Sequence, residues 1–335
     1  MKTLLIYGIG NTYTELKKIL KWEHIQLIAF LETNVHCKYF EGISVYPSSY
    51  VNSIEFDYII CASIYEYEMY ENLKCLGVPK DKIVSGKMKL ENILKYPDIF
   101  DISKFIAFQN EKILGDVRIL ISRNRFIDMS KGVTWLQDLS FTAGGMAVSY
   151  DYMYVMLRIL IHKRPKSILE MGLGQSSKVL EKYQKYTNCD YDIVEQNKDW
   201  YDFFREELAI SDRIKVHISP MKQVYNEEYR TRINCYTDFD NIVMDKRYDF
   251  ISIDGPFGSG GLSRIDILSH IPQCLDTSFS IMLDDYARDG EKNMIKKSEN
   301  SLQKNGIEYY KAIYGEDKEF VIITSKENSF MCSLY

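Results

Sequence analysis

The sequence lacks any hydrophobic run long enough to cross a membrane, and its first residues show no signal-peptide pattern. Its seven cysteines are scattered, are odd in number and include no C-x-x-C pair. This usage argues against a disulfide framework and against a zinc site, and it favours reduced thiols. We therefore expect a cytoplasmic protein without a membrane span.

An excess of positive charge is also missing. Lysine and arginine number 42 against 47 aspartates and glutamates, which gives a net charge of −5. Such a balance does not favour nucleic acid or an anionic membrane as partner, so we expect neither. The 335 residues suffice for two domains of ordinary size, and a hydrophobic content of 46% is normal for a globular protein.

Short apolar segments alternate with helical patterns in two parts of the chain, which is typical of parallel α/β domains. The first part, residues 1–87, predicts a small Rossmann-like domain. The second part, residues 147–335, predicts five parallel strands and a terminal hairpin whose last strand is antiparallel. We therefore predict an α/β fold with two Rossmann-like domains, the second built on seven strands.

Other segments give less definite predictions. Residues 88–146 are interpreted as a linker or intermediate region with a helix or a few strands. The glycine pair within 142–146 could fold over a ligand as a lid or serve as a plain hinge. Residues 222–246 predict an insertion or a helix. The apolar stripe of the helix at 199–208, which includes Trp200, is expected to pack in the core.

A glycine turn follows the first strand of the second domain, within residues 166–177. Gly172 and Gly174 let the backbone approach a ligand, and the helix that follows offers unpaired N–H groups. Glu170 lies near the end of the strand. Glu195 lies about 20 residues beyond the glycines, the usual distance to the next strand tip, where a ribose is held. The third glycine of a dinucleotide-binding motif is missing.

This stretch resembles motif I of the class I S-adenosylmethionine (SAM) methyltransferases. The resemblance implies a methyltransferase fold for the second domain and SAM as its cofactor. It places Glu195 at the ribose, and Glu170 near the cationic end of SAM through water or backbone. The implied cofactor-binding residues are Glu170, Gly172, Gly174, Gln175, Ser176, Glu195 and Asp254.

Acidic residues also end the fourth and fifth strands of this domain, as Asp254 and the pair Asp284 and Asp285. Neighbouring parallel strands end at one edge of a sheet, so these three carboxylates should converge. Close carboxylates repel unless they are protonated or bridged by a cation, and such oxygen ligands suit Mg²⁺, Mn²⁺ or Ca²⁺. An alternative stays open, in which Asp254 is a general base without metal and Asp284 or Asp285 caps the next helix. Arg264 and Arg288 could grip an anionic acceptor or be ordinary surface charges.

The acidic pattern resembles the site of catechol O-methyltransferase and its relatives. That resemblance implies that Asp254, Asp284 and Asp285 are the catalytic residues and also the ligands of a metal ion, Mg²⁺ or Mn²⁺. The ion would orient the acceptor hydroxyl and lower its pKa. The segment that begins at Asp254 also resembles plant polysaccharide methyltransferases.

The first domain resembles the Rossmann-like domains of bacterial polysaccharide-biosynthesis proteins, including the nucleotide-sugar-binding domain of sugar acetyltransferases. The matching segments are residues 8–10, 30–32, 41–45, 57–62 and 76–83. The resemblance implies binding of a nucleotide or nucleotide-sugar. A degenerate domain that scaffolds or dimerises is the alternative, so a homo-oligomer stays open.

Together these patterns predict a SAM-dependent O-methyltransferase that acts on a sugar, nucleotide-sugar or glycan intermediate of surface polysaccharide biosynthesis. The small-molecule or glycan acceptor follows from the resemblances alone. Two other hypotheses remain: a non-catalytic nucleotide-sugar-binding or assembly protein, and an NAD-dependent oxidoreductase that uses Gly8 and Gly10. The missing third glycine after Gly10 counts against the oxidoreductase.

Overall fold

The computed structural model describes residues 1–137, 147–208, 211–315 and 318–334. The predicted lid or hinge at 142–146 lies outside these ranges. The chain divides into two compact units, Met1–Asp116 and Val117–Tyr335. The domain boundaries inferred from the sequence, after residues 87 and 146, stay predictions. No helix in the described part of the chain is long and apolar enough to cross a lipid bilayer.

The first unit is built on a six-stranded sheet in the order β3-β4-β2-β1-β5-β6. All neighbouring strands are parallel except β3 and β4. The strands are β1 (Lys2–Tyr7), β2 (Ile25–Glu32), β3 (Tyr39–Phe40), β4 (Ile43–Pro47), β5 (Tyr58–Cys61) and β6 (Ile83–Ser85). The helices are α1 (Asn11–Leu16), α2 (Glu66–Cys75), α3 (Leu90–Lys95) and α4 (Ile102–Ser130), with 3₁₀ turns at Ser48–Ser53 and Lys80–Lys82. Helix α4 begins in the first unit and ends in the second.

The second unit contains a seven-stranded sheet and a separate hairpin. The sheet strands are β7 (Ser167–Met171), β8 (Asp190–Glu195), β9 (Ile214–Ile218), β12 (Tyr248–Ile253), β13 (Leu275–Leu283), β14 (Tyr309–Tyr314) and β15 (Phe320–Ser325). The hairpin consists of β10 (Met221–Asn226) and β11 (Thr231–Tyr236). The helices are α5 (Tyr150–His162), α6 (Gln175–Thr187), α7 (Lys198–Phe204), α8 (Phe239–Val243) and α9 (Asp289–Lys304). Short 3₁₀ helices lie at Thr134–Leu136, Arg205–Glu207, Ile265–His270 and Lys326–Cys332.

The strand order of this sheet is β14-β15-β13-β12-β7-β8-β9. Six strands run in the same direction, and β15 lies antiparallel between β13 and β14. Numbered along this sheet alone, the order is 6-7-5-4-1-2-3, the order of the class I methyltransferase fold. The predicted fold class is confirmed.

Helices cover both faces of the seven-stranded sheet, so its strands are apolar on both sides. Alternate residues of β7 therefore enter two different cores: Ile168 packs with helices α5 and α6, and Leu169 packs with α8 and α9. Both residues are fully buried. This double burial fixes the register of the central strands, and with it the positions of the loops that follow them.

Two sequence interpretations of this unit can be compared with the structure. Of the alternatives left open for residues 222–246, the structure shows an insertion, made of the β10–β11 hairpin and the short helix α8. The expectation that this stripe packs in the core is wrong for Trp200 and Phe203, which are 39% and 63% exposed, and is confirmed for Phe204 and Leu208, which are buried. Helix α7 is only seven residues long and buries Phe204 alone, so Trp200 remains at the surface of the unit.

Candidate functional site

The order of the second sheet reverses between β7 and β12, and such a reversal opens a crevice beyond the carboxyl ends of the strands. The glycine turn follows β7 at this edge. Four acidic side chains lie at or next to the ends of its parallel strands: Glu170, Glu195, Asp254 and Asp284. This edge therefore combines a backbone turn that a ligand can approach with a concentration of carboxylates.

The two glycines of the turn have different surroundings. Gly172 has a φ of +95°, and a Cβ there would lie 3.0 Å from the amide nitrogen of Gly255. Gly172 is therefore required so that the turn after β7 can touch the loop after β12. A Cβ on Gly174 would meet nothing within 4 Å. The backbone of Gly174 thus borders free space, as a ligand cradle must, and the site fits a cofactor at that position.

Glu170 lies beneath the turn and is fully buried. Its carboxylate accepts hydrogen bonds from the hydroxyls of Ser176 (2.6 Å), Ser177 (2.7 Å) and Tyr191. Burial raises the pKa of Glu170 to about 7, although the three hydroxyl donors oppose the rise. The carboxylate holds the first turn of helix α6 in place. Any effect of Glu170 on a ligand would pass through that turn.

Glu195 lies at the end of β8 and is also buried. Its two carboxylate oxygens accept from the backbone N–H groups of Leu173 (2.8 Å) and Asn197 (2.7 Å). Burial raises the pKa of Glu195, while these N–H donors lower it. A carboxylate has about four acceptor positions, so each oxygen keeps capacity for another donor such as a ribose hydroxyl. Glu195 is thus attached to the glycine turn and stays capable of ligand binding.

The other predicted cofactor residues begin helix α6. Ser176 is buried with its hydroxyl turned towards Glu170, so any contact with a ligand would come from its backbone. Gln175 is half-buried at the first position of the helix. Sequence reasoning missed Trp200, whose indole Nε1 donates to the carbonyl oxygen of Leu173 at 2.8 Å. An exposed tryptophan therefore adjoins the turn.

The predicted convergence of Asp254, Asp284 and Asp285 is present. One carboxylate oxygen from each lies within 4.8 Å of the others. Asp284 is fully buried, whereas the side chain of Asp254 is 30% exposed and is the most accessible of the three. Burial raises the pKa of Asp254 to about 7, and the Arg264 guanidinium opposes the rise. A carboxyl group with such a pKa can accept a proton near neutral pH.

Three cationic side chains contact the acidic group: Arg264, Lys318 and Arg288. The roles of Arg264 and Lys318 were not predicted. Arg264 is buried and donates from one guanidinium nitrogen to Asp254 (3.0 Å) and Asp285 (2.8 Å). It is therefore not free to grip an acceptor. The Lys318 ammonium lies 2.6 Å from an oxygen of Asp284 and 3.4 Å from one of Asp285. One signal was available: the antiparallel β15 must begin at the edge where the parallel strands end, and Lys318 lies two residues before β15.

The charges already present in the acidic group decide whether it fits a divalent ion. Mg²⁺ and Ca²⁺ bind carboxylate oxygens at about 2.0–2.6 Å. The Lys318 ammonium already lies 2.6 Å from Asp284, and Arg264 already bridges the other two carboxylates. A divalent ion among these oxygens would meet two positive charges at close range. The residues present therefore do not fit a metal bound by all three carboxylates, although Asp284 Oδ1 has no hydrogen-bond partner among the described residues.

The first unit repeats the arrangement of the glycine turn. Gly8 has a φ of +103°, and a Cβ there would lie 2.7 Å from the carbonyl oxygen of Ala62 at the end of the neighbouring strand. A Cβ on Gly10 would meet nothing within 4 Å. At the tip of β2, Glu32 Oε2 is buried and has no hydrogen-bond partner within the described part of the chain. This edge also offers an open turn beside an acidic side chain.

Comparison with known families gives a match to part of the chain. The family model for the N-terminal region of C2185-like proteins matches residues 1–84. No curated protein matches the chain.

Several solved structures are similar to the chain. One is the methyltransferase PaMTH1 of Podospora anserina bound to SAH, with 13% identity, a TM-score of 0.38, and coverage of 61% of this chain and 87% of that chain. Human methyltransferase-like protein 13 in complex with SAH has 18% identity, a TM-score of 0.37, and coverage of 52% of this chain and 80% of that chain. A Staphylococcus aureus protein described as a caffeoyl-CoA O-methyltransferase has 15% identity, a TM-score of 0.38, and coverage of 65% of this chain and 99% of that chain. At these identities and TM-scores, the similarity gives no evidence about the fold beyond the strand order of the sheet.

Proposed function

We propose that the second unit transfers a methyl group from SAM to a hydroxyl oxygen of a small-molecule or glycan acceptor. The observation that carries the proposal is the meeting of an open glycine turn, Glu195 and Asp254 at one edge of the seven-stranded sheet. The turn and Glu195 form the cofactor half of the proposed site. Asp254 belongs to the acceptor half.

In the cofactor half, the free space at Gly174 admits a ligand against the backbone, and the N–H groups at the start of α6 face the same turn. The spare acceptor positions of Glu195 suit the two ribose hydroxyls of SAM. Glu170 and its three hydroxyl donors keep the turn rigid. Trp200 adds an exposed aromatic side chain beside Leu173, where it can limit access of water.

When bound at the turn, SAM would supply an electrophilic methyl carbon for the acceptor oxygen and a thioether as the leaving group. Asp254 accepts the proton that the acceptor hydroxyl loses, since its carboxylate is the most exposed of the three and has a pKa of about 7. Arg264 fixes the orientation of Asp254 through a 3.0 Å hydrogen bond. Asp284 and Asp285 lie behind this pair and hold the two cations in place.

We further propose that the first unit binds a nucleotide or nucleotide-sugar, so that the acceptor is a sugar, nucleotide-sugar or glycan intermediate of surface polysaccharide biosynthesis, methylated in the cytoplasm. Two observations support this: the open space at Gly10 and the unpartnered buried oxygen of Glu32 within the described residues. Glu32 stands at the tip of the second strand, where a carboxylate can accept from ribose hydroxyls. Titration of UDP-glucose and UDP-N-acetylglucosamine against wild type and Glu32→Gln tests this proposal. Equal binding of these sugars to both proteins would contradict it.

Isothermal titration with SAM tests the principal proposal. Wild type should bind SAM, and Glu195→Ala should lose that binding because the ribose loses its acceptor. Glu206→Ala serves as the matched control, since Glu206 is an exposed glutamate outside the turn. No binding of SAM by folded wild type would contradict the proposal. Binding without turnover against an acceptor panel would favour a binding protein, and tight NAD binding would favour an oxidoreductase.

A further inference from the structure

The acidic group after β12 and β13 contains its own cations. We infer that Lys318 and Arg264 take the place of a divalent ion in this site, so that methyl transfer here needs no metal. The statement about methyl transfer rests on the proposed function. The arrangement of charges can be measured without assuming that function.

The position of Lys318 carries the inference. Its Nζ atom lies 2.6 Å from Asp284 Oδ2 and 3.4 Å from Asp285 Oδ1, which are two of the three candidate metal ligands. The third, Asp254, is bound together with Asp285 by one nitrogen of Arg264, at 3.0 and 2.8 Å. A cation of the chain therefore contacts each of the three carboxylates.

The charges of the group nearly balance without a metal. When ionised, the three aspartates carry three negative charges, and Lys318 and Arg264 supply two positive charges. Glu291, 3.6 Å from Arg264, and Arg288, 2.8 Å from Asp285, add one charge of each sign. One negative charge remains. A divalent ion would turn this group from singly negative to singly positive and would face repulsion from Lys318 and Arg264, the two cations that are mostly buried.

Lys318 is held in this position by the fold. Strand β15 runs antiparallel to β13 with Val321 opposite Leu283, so the residues before β15 lie beside those after β13. The backbone N–H of Tyr286 donates to the carbonyl oxygen of Glu319 at 2.8 Å, which fastens the two segments together. The Lys318 side chain is only 22% exposed. Its ammonium is therefore a fixed part of the site and acts as a positioning group for Asp284 and Asp285.

Manganese binding, measured by electron paramagnetic resonance on the full chain, tests the inference. Wild type should not bind Mn²⁺ in a saturable manner. Lys318→Met should gain saturable binding that wild type lacks, because the three converged carboxylates lose the ammonium that contacts Asp284 and Asp285. Lys318→Arg keeps the charge and should behave as wild type. A merely structural role of Lys318 would not produce a new metal site.

The control is Lys326→Met, the same substitution at an exposed lysine paired with Glu308, and it should not change Mn²⁺ binding. If Lys318→Met fails to fold, as judged by circular dichroism, Lys318→Gln replaces it. Stoichiometric Mn²⁺ binding by wild type that is lost in Asp284→Asn would overturn the inference. A folded Lys318→Met or Lys318→Gln variant that gains no Mn²⁺ binding would also overturn it. None of these measurements uses SAM, so a failure of the methyltransferase proposal would appear separately in the SAM titration.

Discussion

Gly172 and Gly255 touch each other where strands β7 and β12 end. A Cβ on Gly172 would lie 3.0 Å from the amide nitrogen of Gly255, and a Cβ on Gly255 would lie 2.9 Å from the Cα of Gly172. Gly172 also has a φ of +95°, a conformation that glycine adopts without strain. This contact joins the cofactor turn to the loop that carries Asp254. The two halves of the proposed site are thus positioned by one pair of glycines.

Gly172→Ala should therefore destabilise the second unit. Strain at positive φ, together with the crowding against Gly255, should lower the free energy of unfolding by about 1–3 kcal/mol, measured by urea denaturation. Gly174→Ala is the matched control for stability, because its Cβ meets open space. It should change stability by less than about 0.5 kcal/mol and yet weaken SAM binding, since the added methyl group occupies the proposed cradle. Equal stability of the two variants would contradict the assigned roles.

Glu170 should make stability depend on pH. Its pKa is about 7 in the folded protein against an ordinary value of 4.5, so the folded state binds the proton more tightly. Stability should therefore fall as pH rises from about 4.5 to 7 and then level off, by a total of order 3 kcal/mol. Glu170→Gln cannot ionise and should lose this component of the pH dependence. Urea denaturation of both proteins at a series of pH values gives the difference.

Other buried acids titrate in the same range, so only the difference between wild type and variant is diagnostic. Glu206→Gln removes an exposed carboxylate and should retain the wild-type profile. A wild-type profile that runs parallel to that of Glu170→Gln between pH 4.5 and 7 would show that burial does not shift the pKa of Glu170.

Much of the edge could be predicted from local sequence. Apolar segments of strand length, each followed by a glycine turn or an acidic residue, located Gly172, Glu195 and Asp254 near the strand ends, since parallel strands end at one edge. The convergence of Asp254 with Asp284 follows from the same rule. The apolar pattern and the sheet topology thus suffice to predict the position of a residue that depends only on the end of its own strand.

Residues that depend on register between distant segments could not be predicted. Lys318 reaches Asp284 because β15 pairs antiparallel with β13. An antiparallel last strand was predicted, but the register that places Lys318 beside Asp284 was not. Arg264 resembled a surface charge because two of its three acidic neighbours, Asp285 and Glu291, lie beyond β13, far along the chain. Trp200 was misplaced because the stripe of α7 resembled a core face, while the helix ends too soon to bury it.

Trp200 should support the cofactor turn through its indole N–H. Trp200→Phe keeps an aromatic ring and removes the 2.8 Å hydrogen bond to the carbonyl oxygen of Leu173. Loss of this hydrogen bond should weaken the binding free energy of SAM by about 1 kcal/mol, which raises the Kd about fivefold. Isothermal titration measures the change. Phe203→Leu changes the more exposed neighbour on the same helix and should leave the Kd unchanged. If both variants bind SAM as wild type does, Trp200 is only a surface residue.

Arg264 should be more important for stability than any other charge in the acidic group. It is buried, and it donates to the carboxylates of Asp254 and Asp285 and to the carbonyl oxygen of Asp284, so its removal leaves carboxylates uncompensated in the loops after β12 and β13. Arg264→Gln should lower the free energy of unfolding by about 3–5 kcal/mol, because breaking a buried ion pair leaves an unpaired charge. Arg288→Gln removes a 58% exposed arginine that also contacts Asp285, and it should cost at most about 1 kcal/mol because solvent screens it. Urea denaturation of both variants measures the difference, and equal losses would mean that burial of Arg264 does not determine the energetics of the group.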